Sequence, residues 1–445
     1  MNAARHRWIL LAILGFCVLF RGVHALNLAE HQSAATVEGD TSSYTAPARA
    51  LLEHGRFSKT STDPRPEFLR TPGYPVFIAG VYGLFGPSRA TLLLAQVLVS
   101  TLTVLLVYLL AARIWSVPIG LLAAALTALD PLQHYTTGTI ISECLGTLAL
   151  VGVAGAGWVA FSRERPALRW PFLLGLAIAT ATMIRPVTYY LPLLVVGLFA
   201  YRMVREAHAR GYLARMLVAF LVPVVVILGG WQLRNRVEAG SWRISGIEGK
   251  NLYMYRAAGV LADEQGISLR AARHELGRRV GKLGHRSQGQ YYGRLMSDGM
   301  QILASEPFDA LETTATGLLA EVTDVRYKIY EPFGLSSPSG ALEVATMLAL
   351  LGFYALTLYG MATVVRARRH LLAHVFVVSV AAYVVLVSAG PEALGGRGER
   401  FRAVVMPILI LYAARGAAEL WARYRGARSV ASCEPATGAV GRTST

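Results

Sequence analysis

Between Ser88 and Ala112 a single charged side chain, Arg89, interrupts the apolar sequence, and between Leu371 and Ala389 there is no Asp, Glu, Lys or Arg. An α-helix needs a run of about 20 such residues to cross the hydrocarbon of a bilayer. Runs of this kind recur and predict ten spans: about 8–26, 88–112, 117–133, 141–161, 170–185, 187–201, 213–231, 341–365, 371–389 and 403–421. The fifth and sixth meet at Arg185-Pro186, where the two together also read as one tight hairpin. Strands of a barrel would instead alternate over about ten residues, so the expected fold is an all-α integral membrane bundle. Composition agrees, with 54% hydrophobic and only 16% charged residues in 445, against about 25% charged in soluble domains. A cytosolic enzyme, a disulfide scaffold and a disordered tail are excluded.

The formal charge of +16 does not require nucleic acid, because the bases are not spread evenly. With the N-terminus inside, cytoplasmic segments hold Arg5, Arg7, Arg113, Arg163, Arg202, Arg205, Arg366, Arg368 and Arg369, opposed there only by Glu164 and Glu206. The first outer loop is nearly balanced between acids and bases. That asymmetry is the positive-inside rule. Arg5, Arg7 and the small residues near Ala25 also resemble a secretory leader; anchored or cleaved, the chain from about 27 emerges outside. The expected organisation is a first span (1–26), a first outer loop (27–87), a transmembrane block (88–231), a large outer region (232–340), C-terminal spans (341–421) and a cytoplasmic tail (422–445). Within the large region, Leu269, Ala272, Leu276, Val280 and Leu283 recur at helical spacing among arginines. They predict an amphipathic helix, either lying on the membrane or facing the core of a small cap. No two-halves repeat of the transporter kind is visible, and three cysteines give no metal or disulfide framework.

Polar groups at the ends of apolar helices are the best functional pointers in such a chain, and here they gather on one side. Glu38 and Asp40 sit in the first loop, Arg70 just before the second span, Glu143 at the outer start of the fourth and Arg185 at the outer end of the fifth. Arg234 and Asn235 follow the seventh, and Arg397 and Arg400 precede the tenth. Converging helices would bring these ends to one cavity. Arginine, with its planar fork, is the preferred ligand for phosphate, so the set suits a lipid phosphate whose tail lies between helices. Arg70-Thr71-Pro72-Gly73-Tyr74-Pro75 fixes an abrupt turn, followed by a short apolar helix from Val76 to Phe85. Glu38-Gly39-Asp40 places two carboxylates two residues apart, a pair able to hold a divalent cation such as Mg or Mn, or to serve as a base with its orienting partner.

Read together, these stretches resemble the GT-C superfamily of polytopic glycosyltransferases, within it the bacterial relatives of protein O-mannosyltransferases and the lipid A aminoarabinose transferases. The resemblance rests on the run from Gly39-Asp40 through Tyr44, Leu51-Leu52 and Gly55 to Phe57-Ser58, and on the Arg70-x-Pro turn. It continues through Ile184-Arg185-Pro186, Trp231-Gln-Leu-Arg234-Asn235 and Glu399-Arg400-Phe401-Arg402, in the same order along the chain. It implies a bundle of about ten spans with a helical extracytoplasmic region in the bacterial cytoplasmic membrane. It also implies a sugar donor on polyprenyl phosphate and transfer with inversion, outside the membrane, to a lipid, glycan or protein. By matching motif, Asp40 takes the catalytic position, Glu38 completes the acidic pair, and Arg70, Arg185 and Arg400 approach the donor phosphate. Arg397 is added to them as a neighbouring guanidinium. Tyr44, Tyr74, Glu143, Arg234 and Asn235 are further substrate-site candidates. Some relatives carry an acid where Leu69 stands, which leaves a metal site of their kind in question, with Glu67 as a substitute. A transporter or flippase of lipid-linked saccharides is the alternative; a non-catalytic assembly protein is a third. With Asp40 as base, its removal is expected to abolish transfer and to leave donor binding intact.

Overall fold

The computed structural model describes residues 3–31, 40–281, 287–325, 329, 330, 335, 339–391 and 398–431. Glu38 and Arg397 lie outside these residues, and so does the end of the amphipathic segment at Leu283. The described chain is helical throughout, with no strand beyond an isolated bridge between Ser58 and Pro66. Among the described residues, seven stretches are long and apolar enough to cross a membrane: Ala4–Glu30, Arg89–Ile114, Glu143–Phe161, Pro186–Arg205, Ala207–Ala239, Gly340–Ala367 and Leu371–Ser388. They match seven of the expected spans. The helices are α1 (Ala3–His31), α4 (Arg89–Ile114), α7 (Glu143–Phe161), α9 (Leu191–Arg205), α10 (Arg210–Val224), α17 (Gly340–Ala367) and α18 (Leu371–Ser388). A π-helical turn, Val225–Gly229, joins α10 to α11 (Gly230–Ala239).

Two expected spans are short helices. α5 (Val117–Leu129) and α8 (Arg169–Ile184) have 13 and 16 residues, about 20 and 24 Å of rise; α8 has the length the sequence suggests and α5 is shorter than it. The run read as 117–133 stops because Asp130 caps a new helix, α6 (Pro131–Gly138). Its side chain accepts from Leu132 N at 3.0 Å, and Pro131 occupies the first helical position, where a missing N–H costs nothing. The last expected span becomes α20 (Met406–Ala431), packed along α17 and α5. Small residues permit that approach, as is general where lipid supplies no hydrophobic drive between helices. A Cβ on Gly360 would stand 2.0 Å from Tyr412 O, and one on Gly416 2.2 Å from Leu356 O. Trp158, Phe199, Phe220, Phe376 and Tyr412 fill the bundle centre.

The remaining helices lie at one end of the bundle. The first loop holds α2 (Thr41–His54) and α3 (Gly73–Phe85). The second holds α12 (Ile247–Asn251), a π-helical turn Leu252–Ala257, α13 (Ala258–Gln265), α14 (Leu269–Gly281), α15 (Gln288–Ser305) and α16 (Pro307–Thr323). α14 is the expected amphipathic helix. Its Ala272, Leu276 and Val280 are buried against Tyr253, Ala258 and Leu261, so its apolar face serves the cap and not the membrane. A short helix, α19 (Gly398–Ala403), leads into α20.

Candidate active site

Asp40 stands at the N-terminal end of α2, with its backbone carbonyl accepting from Ser43 N at 3.0 Å. One turn on, the Tyr44 ring is buried edge-on to Tyr74, with centroids 5.0 Å apart. Facing them is the turn expected from Arg70-Thr71-Pro72-Gly73. Glu67 Oε1 accepts from Arg70 N at 2.9 Å, which closes the turn, so Glu67 braces backbone. α3 then starts at Gly73 because nothing larger fits, a Cβ there lying 2.6 Å from Met183 O. So held, the Arg70 guanidinium lies 4.3 Å from the Tyr44 ring centroid and donates to Ser43 Oγ and the Tyr44 hydroxyl, each at 3.0 Å.

From Arg70 an unbroken ladder of opposite charges crosses the site. Arg70 Nη2 donates to Asp40 Oδ1 at 2.6 Å, and Arg400 Nη2 to Asp40 Oδ2 at 3.0 Å. Arg400 Nε donates in turn to Glu143 Oε1, which also receives Arg185 Nη1 at 3.0 Å. Arg185 Nη1 reaches Ser142 Oγ at 3.2 Å as well. Gly146 makes room for it, since a Cβ there would stand 2.4 Å from Arg185 Cδ. Five segments far apart in sequence thus meet. Burial alone would raise the Asp40 carboxyl, but the charges of Arg70 and Arg400 outweigh it and hold the group well below the usual carboxylate range. Glu143 is fully buried, and its Oε2 has no hydrogen-bond partner among the described residues.

The ladder lines a cavity of about 330 Å³. Ser142 and Tyr190 share its walls, and Lys250, Tyr255 and Arg256 face it from the second loop. Lys250 adds its field to the depression of Asp40. The roof is tied to the floor, because Gly246 N donates to Phe68 O at 2.7 Å. Arg256 donates to Val387 O and Ala389 O at 3.0 and 2.7 Å, and the Tyr255 hydroxyl accepts from Arg273 at 3.1 Å. Sequence reasoning passed over these roof residues, since no spacing marks a π-helical turn, and Ser142 had no signal except its neighbour Glu143.

Three of the expected substrate-site residues lie behind the cavity wall. The Tyr74 hydroxyl donates to Gln96 Oε1 at 2.6 Å. Arg234 braces the first loop, donating to Glu67 O at 2.7 Å and Phe57 O at 2.9 Å. Asn235 is wholly buried and donates to Arg243 O and Ile244 O. The described donors do not suit a divalent cation. Both Asp40 oxygens and Glu143 Oε1 already accept from guanidiniums, and no group of three or more His, Cys, Asp or Glu gathers among the described residues.

Residues 69–228 match the family model described as dolichyl-phosphate-mannose-protein mannosyltransferase. No curated protein matches the sequence. Solved structures do. The archaeal oligosaccharyltransferase AglB from Archaeoglobus fulgidus, in complex with an inhibitory peptide and a dolichol-phosphate, superposes over 99% of this chain and 52% of its own, with a TM-score of 0.56 at 12% identity. The same enzyme in complex with Zn and sulfate covers 96% of this chain and 52% of its own, with a TM-score of 0.56 at 13% identity. The chain has the GT-C fold. It spans about half the length of that archaeal enzyme. ArnT from Cupriavidus metallidurans bound to undecaprenyl phosphate covers 97% of this chain and 81% of its own, with a TM-score of 0.38 at 17% identity. In this GT-C fold the cavity sits where the loop helices meet one end of the bundle, while Arg113, Arg163, Arg205 and Arg366 mark the other.

Proposed function

We propose that this protein is a membrane glycosyltransferase that moves a sugar from a polyprenyl phosphate to an acceptor on the cavity side, with inversion. The observation that carries the reading is the ladder Arg70–Asp40–Arg400–Glu143–Arg185 lining one cavity. A sugar phosphodiester arriving there meets guanidiniums whose forks match its oxygens. As it binds, Arg70 and Arg400 turn from Asp40 to phosphate, and the carboxylate recovers its basicity. The acceptor hydroxyl or amine then attacks C1 from the face opposite the phosphate, its proton passes to Asp40, and the C1–O bond breaks towards polyprenyl phosphate. The arginines stabilise the charge that grows on the leaving oxygen. Glu143 Oε2, a buried acceptor with no partner among the described residues, is suited to a sugar or acceptor hydroxyl, since an empty buried acceptor costs about 1–3 kcal/mol until filled.

The match to a family of dolichyl-phosphate-mannose-protein mannosyltransferases and the dolichol-phosphate bound to AglB support a lipid-phosphate donor, and the arginine distribution supports an extracytoplasmic cavity in the cytoplasmic membrane. The sugar is a hexose or pentose, and the acceptor a glycolipid, surface glycan or exported protein. The test is reconstitution in proteoliposomes with labelled polyprenyl-phosphate mannose and glucose, together with an extract of envelope acceptors. Release of free polyprenyl phosphate by the native chain and not by Asp40→Asn supports transfer. Passage of intact lipid between leaflets without release supports the flippase.

A further inference from the structure

α16 presents three faces. Thr313, Gly317 and Glu321 are buried against the bundle. A Cβ on Gly317 would lie 2.2 Å from Gly390 O, and Glu321 Oε1 accepts from Ser388 Oγ at 3.0 Å. Asp309, Glu312 and Thr316 make a polar edge. On the remaining face Phe308, Leu311 and Leu319 are 83%, 68% and 61% exposed, and Ala315 is exposed between them. Positions 308, 311, 315 and 319 follow one side of a 3.6-residue period. A continuous apolar stripe of this kind on a folded chain marks a contact surface.

The depth of the helix identifies what it touches. Tyr354 of α17 donates its hydroxyl to Val322 O at 2.7 Å, so the C-terminal end of α16 is pinned to a membrane span. Counting from Arg366 at the far surface, Tyr354 lies about 18 Å up that span. In a hydrocarbon layer of about 30 Å, Val322 then sits on the order of 12 Å below the cavity-side surface. α18 gives an independent measure. Its residue Ser388, in contact with Glu321, is about 25 Å above Leu371, or roughly 5 Å below the same surface. Both place this end of α16 among acyl chains.

We propose that α16 is a membrane-inserted helix packed behind the cavity wall, with the stripe Phe308, Leu311, Ala315 and Leu319 facing the acyl chains of the cavity-side leaflet. The large second loop is therefore not wholly outside the bilayer. Through Gly317 on Gly390 and Glu321 on Ser388, lipid contact reaches residues that line the cavity. The inference stands whether or not the cavity transfers sugar.

The test uses the full chain with Cys433→Ser, Cys17 and Cys144 being buried, and single spin labels at Leu311→Cys, Leu319→Cys and, on the polar edge, Glu312→Cys. One copy is placed per nanodisc of phosphatidylethanolamine and phosphatidylglycerol, and collision with oxygen is compared with collision with a water-soluble nickel chelate. Labels at 311 and 319 should favour oxygen, more strongly at 319, and the label at 312 should shift towards nickel. Nickel dominating at both 311 and 319 overturns the proposal by placing the stripe in water. Exclusion of both reagents there also overturns it, because protein would then cover the face. If Leu319→Cys does not fold, Ala315→Cys on the same stripe replaces it, with oxygen again expected to dominate.

Discussion

Asp40→Asn should bind free polyprenyl phosphate more tightly than the native protein while losing transfer. The carboxylate holds Arg70 and Arg400 at 2.6 and 3.0 Å, and those guanidiniums are the ones an incoming phosphate needs. Hydrogen bonds to charged groups are worth about 1.5–3 kcal/mol. The Asp40 side chain is 28% exposed, so solvent screening reduces each to about 1 kcal/mol. Asparagine keeps one acceptor oxygen, so about half of the total, ~1 kcal/mol, passes to the ligand, or roughly five-fold in Kd. Sequence alone suggests unchanged binding; the ion pairs turn that into a gain. Calorimetric titration of undecaprenyl phosphate into nanodisc-embedded protein measures it. Equal or weaker binding would show that Asp40 does not compete with phosphate, and the proposed release of the base on donor binding would fail with it.

Arg70→Ala should lower donor affinity and turnover together by about ten-fold or more, since a charge-assisted contact is lost; kinetics against donor concentration report both. Gly146→Ala, whose Cβ would press on Arg185 Cδ at 2.4 Å, should weaken donor binding while the chain still folds, checked by titration alongside a melting curve. Glu143→Leu strands the Arg185 guanidinium in a buried site and takes one of two carboxylates from Arg400; it should cost about 3–5 kcal/mol of stability, read as a large drop in melting temperature in detergent. The Asp40 pKa is depressed in the folded chain, so its ion pairs contribute fully above the unfolded value of about 3.9 and are lost only as pH falls through the lower folded value. kcat/KM, which reports the free enzyme, should therefore show no Asp40 limb down to about pH 4. kcat should acquire an acid limb at higher pH, once phosphate has drawn the arginines away.

The bundle was legible because apolar length is a one-dimensional signal, and the prolines at 72 and 186 punctuate it. Asp40, Arg70, Arg185 and Arg400 were legible because charge at the end of an apolar run is costly without a use. What the sequence hid is pairing. Nothing in spacing says that Arg400 bridges Asp40 and Glu143, or that Arg234, chemically identical, turns to the Phe57 and Glu67 carbonyls instead. That choice depends on where the Glu67 turn and α11 meet, a contact between residues 167 positions apart. The roof was hidden for a related reason, since Lys250 and Arg256 lie in a polar loop where bases are unremarkable until folding aims them inward.

Under the proposed mechanism the ladder's three cations and two anions balance the charge of a bound donor. Taken with a bound phosphodiester, which carries one negative charge, Arg70, Arg185, Arg400, Asp40 and Glu143 are electrically neutral. In the proposed transfer, Asp40 would gain the acceptor's proton and lose its charge. The product, a phosphate monoester with a second pKa of about 6, gains one. The cluster is neutral before and after, so no net charge is created in a medium where an isolated ion costs many kcal/mol. The step moves one negative charge from Asp40 to phosphate among cations already in place, and Arg400, which touches Asp40 directly and Glu143 through Nε, is the side chain best placed to follow it. Replacing Arg400 by Lys keeps the charge but cannot span both carboxylates. Arg400→Lys should therefore lower kcat more than donor affinity, and an equal loss in both would reduce Arg400 to a phosphate anchor.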